Sequence, residues 1–118
     1  MSSTDIEAFF DRYRAALLDR DAARIATMYA VPGLVLFPGS SVPVTSKDQT
    51  EQFFAASFSQ YEGVSEIDLE LRVLVETSHS TWVDLTWCYN GQRRERFCYQ
   101  LINAEPPQIA VLTPLNLP

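Results

Sequence analysis

The stretch TWVDLTWCYNGQRRERFCY, residues 81–99, decides the fold. At its centre is Asn90-Gly91, the pair that most strongly favours a two-residue type I′ turn between antiparallel strands. The flanks are rich in Trp, Tyr, Val and Thr, which are typical of strands. The stretch therefore predicts a β-hairpin with strands over Thr81–Tyr89 and Gln92–Asn103.

Further strands are predicted on both sides of this hairpin. From Ile67 to Glu76, apolar residues mostly alternate with charged ones. This period of two indicates a strand with one buried face. Downstream, Glu105-Pro106-Pro107 predicts a turn, and residues 108–115 a last strand. The second half of the chain therefore reads as four consecutive strands joined by short turns.

The first half has helical spacing instead. Thr4-x-x-Glu7 and Ser46-x-x-Gln49 are capping-box patterns that open helices. Asp21 is expected to cap a shorter helix that extends to Tyr29 and ends before Pro32-Gly33. The apolar stripe of the first helix consists of Ile6, Phe9, Phe10, Tyr13 and Leu17.

Two short strands are predicted between the second and third helices. They cover Leu34–Phe37 and Val42–Thr45, and Pro43 makes the latter an edge strand. Helices segregated from a run of strands predict an α+β fold with an antiparallel sheet. Residues 1–118 are interpreted as a single domain.

Composition excludes several classes of function. The 118 residues include 15 acids, 9 bases and one histidine, with a net charge of -6. An acidic chain is a poor match for nucleic acid, whose binding requires a basic surface. One histidine and two cysteines cannot build a four-ligand His/Cys zinc site. No metal or cofactor is expected. Because neither a signal peptide nor a membrane span is visible, we expect a cytoplasmic protein that does not act at membranes.

A regular hairpin register predicts which side chains share a face of the sheet. Without a bulge, Asp84 lies opposite Phe97, and Trp82 lies opposite Tyr99. Asp84 would then be surrounded by aromatic rings, which is costly for a carboxylate unless it is paired or protonated. Arg72 is the expected ion-pair partner. We expect this face to line a pocket, with Asp84 as its polar group.

The same register assigns the opposite face. Trp87, Arg94 and Arg96 would lie there, and Cys88 and Cys98 would point to opposite faces. Because both faces carry large apolar groups, one must be covered by helices and the other by a second subunit. This predicts a homodimer through the outer sheet face. A bulge in either strand would exchange the two faces.

Several segments resemble the nuclear transport factor 2-like superfamily, in its SnoaL-like and ketosteroid isomerase-like branch. They are Arg12-Tyr13-x-Ala15-Ala16-Leu17, Met28-Tyr29-Ala30, Glu70-Leu71-Arg72-Val73 and Tyr89-Asn90-Gly91. The resemblance covers nearly the whole chain. It implies a cone-shaped curved sheet wrapped around three helices, an apolar pocket at the wide end, and frequent homodimers.

The resemblance also implies catalytic residues, and each known set is incomplete here. Tyr13 matches the tyrosine that donates a hydrogen bond to the developing enolate in ketosteroid isomerases. The isomerase base position reads Phe37-Pro38, and phenylalanine cannot accept a proton. The second donor position falls near Cys98, a poor donor. Limonene-epoxide hydrolases of the same superfamily use an Arg-x-Asp motif on the second long strand. Here the matching segment is Trp82-Val83-Asp84, so the aspartate is present but tryptophan replaces the arginine.

These observations favour a protein of unassigned activity that binds a small apolar molecule. The expected pocket residues are Phe37, Phe54, Trp82, Phe97 and Tyr99. One alternative is an isomerase- or cyclase-like enzyme in which Asp84 and Tyr13 perform acid–base chemistry. Another is a non-catalytic module for dimerisation or protein interaction, whose core is filled by side chains. The presence and size of a cavity separate these readings.

Overall fold

The computed structural model describes residues 3–117, with side chains from Asp5 onward. The capping box predicted at Thr4 therefore lies outside the described side chains. The helices are α1 (Ser3–Leu18), α2 (Ala22–Ala26) and α3 (Lys47–Ser57), the last followed by a 3₁₀ turn (Phe58–Tyr61). The strands are β1 (Tyr29–Phe37), β2 (Ser40–Val44), β3 (Ile67–Glu76), β4 (Ser80–Tyr89), β5 (Gln92–Ile102) and β6 (Gln108–Leu115).

Two of the predicted helix starts are confirmed by their caps. Asp21 accepts a hydrogen bond from the Arg24 amide at 3.1 Å. Ser46 Oγ accepts one from the Gln49 amide at 3.1 Å, and Gln49 Oε1 accepts one from the Thr45 amide at 2.8 Å. Each cap satisfies an amide that has no partner within its helix.

The expected end of α2 is wrong. The helix stops at Ala26, and Tyr29 already pairs with Ile109 in the sheet. Pro32-Gly33 lies inside β1, where the pairing with β6 is irregular. A Cβ atom at Gly33 would be 2.8 Å from the carbonyl oxygen of Ala30 in the same strand and 3.0 Å from that of Ala110 in β6. The close approach of these backbone oxygens requires glycine here.

The six strands form one sheet in the order β2-β1-β6-β5-β4-β3. The α+β class is confirmed, and β2 is an edge strand as predicted. The expectation of a wholly antiparallel sheet is wrong for one pair, because β1 runs parallel to β6. These two strands lie far apart in the sequence, so no turn signal could reveal their pairing. In the described part of the chain, no helix is both long and apolar enough to cross a membrane.

A bulge changes the register of the central hairpin. Asn90 and Gly91 have φ of 51° and 81°, as the predicted type I′ turn requires. Cys88 pairs with Arg93, but the next residue, Trp87, pairs with Glu95. Arg94 is therefore an extra residue in β5, and the sequence beyond it is offset by one position.

The offset moves Phe97 and Tyr99 of β5 from the Asp84 face of β4 to the Trp87 face, and this face is the inner one. Trp87 points inward, is 1% exposed and stacks on Tyr13 of α1 with 5.6 Å between ring centroids. Asp84 is three residues from Trp87 and therefore lies on the opposite, outer face, where it pairs with Cys98. The prediction that Trp87 lies on the outer face is therefore wrong. So is the placement of the cysteines, since Cys88 and Cys98 both lie outside as free thiols.

The hydrophobic core lies between the inner face of the sheet and the helices. Phe10 of α1 packs on Tyr99 of β5 and on Trp87 of β4, at centroid distances of 5.1 and 6.4 Å. Val83 and Leu85 complete the inner surface of β4, and neither is exposed. This packing orients the tyrosines of the inner face toward the space between α3 and the sheet.

Candidate functional site

A cavity of about 390 Å³ lies between α3, the end of α1 and the inner face of the sheet. Tyr13 and Leu17 reach it from α1, and Thr50 and Phe54 from α3. Half of the residues that line it are aromatic. Its size is within the range of small-molecule sites, which measure roughly 300–1,000 Å³.

A pair of phenols forms part of the cavity wall. The Tyr13 and Tyr29 hydroxyl oxygens are 2.7 Å apart, and both side chains are buried. Burial is the main cause that raises the pKa of each above its usual value, so both stay protonated. One hydroxyl hydrogen is used between them, which leaves the other to donate to a bound group.

A third phenol, Tyr99, is held in place by Trp87. Trp87 Nε1 donates a hydrogen bond to the Tyr99 hydroxyl oxygen at 2.8 Å. Burial also holds the pKa of Tyr99 well above its ordinary value. The Tyr99 hydroxyl therefore keeps its hydrogen, and the donors on this side of the cavity suit a ligand that carries an acceptor such as a carbonyl oxygen.

Glu95 brings the single charge among the described residues that line the cavity. Its Oε2 accepts a hydrogen bond from the Tyr89 hydroxyl at 2.9 Å. The Tyr89 ring meets the Tyr61 ring edge to face at 5.3 Å. Burial, followed by the charges around it, raises the pKa of Tyr89. Tyr89 is therefore a protonated donor that fixes the carboxylate in the wall.

Thr50 leaves a polar atom without a partner in the same wall. Its side chain is buried, and Oγ1 has no hydrogen-bond partner in the described part of the chain. Leaving such a group unsatisfied costs about 1–3 kcal/mol. No group of three or more potential metal ligands occurs within residues 3–117.

The expected site residues fall in two different places. Tyr13, Phe37, Phe54, Phe97 and Tyr99 line the cavity. Trp82 and Asp84 do not: both lie on the outer face of the sheet, so the expectation that they line the pocket is wrong. The expectation grouped Trp82 and Asp84 with Phe97 and Tyr99, but the extra residue Arg94 shifts β5 by one position, so these two rings lie beside Leu85 and Val83 instead.

Asp84 is instead part of an ion pair on the outer face. Arg96 donates to both carboxylate oxygens, from Nε to Oδ1 at 2.9 Å and from the second nitrogen to Oδ2 at 2.6 Å. Arg72, the predicted partner, is more distant at 3.5 Å. Hydrogen bonding from Arg96 lowers the pKa of Asp84. The structure therefore does not bring Asp84 and Tyr13 together as an acid–base pair.

Two polar residues of the cavity were not identified from the sequence. Tyr29 is expected at the end of the second helix, whereas it opens β1. Glu95 is expected opposite Thr86, on the same face as Phe97 and Tyr99, but is not among the expected site residues; it pairs with Trp87 on the inner side. A bulge beside a tight turn leaves no signature in the sequence when the extra residue is as ordinary as Arg94.

The cavity and the curved sheet fit a known class of proteins. A family model described as NTF2-like protein (DUF6841) matches residues 3–100. This chain belongs to that NTF2-like family, which confirms the superfamily assigned by resemblance. No curated protein is significantly similar in sequence.

Solved structures share the fold at low identity. An NTF-2 like protein of unknown function from Shewanella oneidensis superposes with a TM-score of 0.77 at 12% identity, covering 98% of this chain and 100% of that one. A ketosteroid isomerase-like protein from Erwinia carotovora atroseptica gives 0.63 at 18%, covering 97% and 96%. A putative calcium/calmodulin dependent protein kinase II association domain from Xanthomonas campestris gives 0.70 at 18%, covering 100% and 89%. These identities establish a shared fold and no shared activity.

Proposed function

We propose that this protein binds a small, largely apolar molecule in the cavity between α3 and the sheet. The observation that carries the proposal is a cavity of about 390 Å³ whose wall is half aromatic. Burying apolar ligand surface there is worth roughly 25 cal/mol per Å² before the costs of association. A non-catalytic module with a filled core would have no such space.

The polar groups of the wall would orient the ligand. The spare hydroxyl hydrogen of the Tyr13–Tyr29 pair and the hydroxyl of Tyr99 favour an acceptor atom on the ligand. A few placed polar groups in an otherwise apolar wall are typical of specific small-molecule sites.

The test is to fill the cavity from its edge strand. Val42 of β2 lines the cavity, whereas its neighbour Ser41 is exposed. We expect Val42→Phe to weaken binding of the neutral dye prodan at least about tenfold, which corresponds to about 1.4 kcal/mol. Ser41→Phe is the matched control and should leave binding unchanged. Equal affinity of both variants in a fluorescence titration would contradict the proposal.

A second candidate is an acid–base enzyme of the isomerase-like kind. The observation that favours it is that the Glu95 carboxylate and the Tyr13 hydroxyl line the same cavity. In this version Glu95, rather than Asp84, removes a proton from the carbon next to a carbonyl whose oxygen is bound by Tyr13, and returns it to the γ carbon of the resulting dienolate. The test substrate is a β,γ-unsaturated ketone, and its conversion is measured by the ultraviolet absorbance of the conjugated product. Glu95→Gln should abolish any conversion, and a wild-type rate no faster than buffer would exclude this activity for that substrate.

We also propose a homodimer through the outer sheet face, with Trp82 in the position that was expected for Trp87. Ile102 is 38% and Val75 52% exposed on this face, and Trp82 and Val111 lie half-buried beside them. The Asp84–Arg96 pair leaves little uncompensated charge there. A second copy related by a two-fold axis would cover these apolar groups.

Sedimentation velocity tests the dimer. We expect wild type to sediment as a dimer and Val111→Asp to sediment as a monomer, because a carboxylate would be buried in the interface. Gln52→Asp adds the same charge on an exposed position of α3 and should remain dimeric. A monomeric wild type at micromolar concentration would contradict the proposal.

A further inference from the structure

The charge of the cavity wall is one-sided. Among the described residues that line it, Glu95 is an acid and none is a base. The chain as a whole carries a net charge of -6. An anionic ligand would meet a carboxylate and no counter-charge, which makes anions the least suitable ligands.

The Glu95 carboxylate has one donor and no cation. Tyr89 donates to Oε2 at 2.9 Å. Within residues 3–117, no Lys, Arg or His lies within ion-pair distance of Glu95. This is unlike Asp84, whose two oxygens are both bound by Arg96. A half-buried carboxylate that faces an aromatic cavity is stabilised when a cation is brought to it.

The rings beside Glu95 are suited to a cation as well. Tyr61 and Tyr89 meet edge to face, and their hydroxyl oxygens are 3.5 Å apart. Burial is the main cause that raises the pKa of Tyr29 and Tyr99, and the charge of Glu95 adds to it in both. Electron-rich faces of Tyr and Trp attract ammonium groups most strongly where water is excluded.

The neighbouring arginine does not supply the missing charge. Arg20 lies over the Tyr61 ring at 5.4 Å but does not line the cavity. Its guanidinium donates to the Leu17 and Tyr61 carbonyl oxygens, each at 2.7 Å. Arg20 therefore links the C-terminal end of α1 to the 3₁₀ turn. It does not neutralise the charge of Glu95.

We propose that the cavity binds an apolar organic monocation, an amine or a quaternary ammonium compound, with its nitrogen between Glu95 and the Tyr61–Tyr89 rings. The apolar part of the ligand would fill the aromatic remainder beside Tyr13 and Phe54. This inference rests on the proposed function and specifies the class of ligand.

The test compares two ligands of the same shape. Benzyltrimethylammonium carries one positive charge, and neopentylbenzene replaces its nitrogen with carbon. Binding is followed by the fluorescence of Trp87, which lines the cavity, in a Trp82→Phe background that removes the outer tryptophan. We expect the cation to bind about tenfold or more tightly than the neutral compound.

Two variants locate the charge that matters. Glu95→Gln should reduce the preference for the cation to about onefold. Glu70→Gln removes one negative charge from the outer face, where Glu70 pairs with Arg93 at 3.0 Å, and should keep the preference. Neopentylbenzene binding to Glu95→Gln reports whether the cavity of that variant is formed.

Each outcome decides the question. Binding of neopentylbenzene without a preference for the cation overturns this inference and leaves the proposed function standing. Binding of neither compound contradicts both. Equal loss of preference in both variants overturns the inference, because it assigns the effect to overall charge rather than to Glu95.

Discussion

Two carboxylates of one hairpin differ completely in their surroundings. Asp84 is bound by Arg96 on the outer face, and its side chain is 10% exposed. Glu95 lines the cavity, and within the described part of the chain its carboxylate accepts one hydrogen bond, from Tyr89. An ion pair with both oxygens satisfied is structural, whereas a carboxylate without a cation is available to a ligand. We therefore expect Glu95 to interact with a ligand and Asp84 to stabilise the fold.

Removing the charge of Asp84 should destabilise the fold. Asp84→Asn leaves Arg96 without its carboxylate, and we expect the free energy of unfolding to fall by about 1–3 kcal/mol. Asp68→Asn is the control, because Asp68 is exposed and its contact with Arg14 is long, at 3.7 Å. Urea denaturation measures both. Identical midpoints for the two variants would show that the outer ion pair has no structural role.

The tyrosines predict how stability depends on alkaline pH. Burial raises the pKa of each of the five, namely Tyr13, Tyr29, Tyr61, Tyr89 and Tyr99. Unfolded tyrosine ionises near pH 10, so above that pH the unfolded state releases protons that the folded state retains. The stability that these groups contribute is complete below pH 10, and it decreases as pH rises further.

Absorbance and circular dichroism test this together. We expect phenolate absorbance to appear only as the circular dichroism signal is lost. Phenolate formation near pH 10 in a folded protein would contradict the burial of these hydroxyls.

At the scale of elements, the bulge in β5 decides which residues form the cavity. With Arg94 as the extra residue, Glu95, Phe97 and Tyr99 point inward opposite Trp87, Leu85 and Val83. A ladder without a bulge would have placed Glu95, Phe97 and Tyr99 on the same face as Asp84 instead. Since side chains alternate with a period of two, one extra residue changes the whole inner surface beyond it.

Deletion of Arg94 is therefore expected to be tolerated. Arg94 is exposed, and β5 pairs with β6 only from Arg96 onward. Removing it makes the ladder between β4 and β5 regular while each remaining residue keeps its face. We expect an unfolding free energy within about 1–2 kcal/mol of wild type, measured by urea denaturation.

Deletion of Cys98 is the control with the opposite expectation. It would turn Tyr99 and Leu101, which are buried, to the outer face or force the strand out of register. That variant should not fold cooperatively. If the two deletions cost the same, the bulge would not be where the register places it.

The predictability of these elements follows how local their signals are. The hairpin turn, the caps of α2 and α3 and the edge position of β2 depend on residues close in sequence, and each was predicted. The parallel pairing of β1 with β6 and the bulge at Arg94 depend on packing between distant segments. Tyr13 was suggested by the family resemblance and Tyr99 by the hairpin register, and both line the cavity. Glu95 shares the face of Tyr99 with or without the bulge, so only its partner on β4 depends on the register.

At the scale of the whole molecule, the fold supplies a space and leaves its chemistry to a few residues. Structures at 12–18% identity share this architecture with TM-scores of 0.63–0.77. A sheet with helices against one face leaves a cavity where α3 passes over it. The activity of the members then depends on the groups that line that cavity. Among the described residues of this chain they include tyrosine hydroxyls, the Thr50 hydroxyl and one carboxylate.

A crystal structure of the protein soaked with prodan tests the central claim most directly. We predict that prodan lies in the cavity between α3 and the sheet, with its carbonyl oxygen within hydrogen-bond distance of the Tyr13 or Tyr29 hydroxyl. A crystal in which prodan occupies only the outer sheet face, or in which the side chains of Phe54 and Trp87 fill the cavity, would contradict the claim.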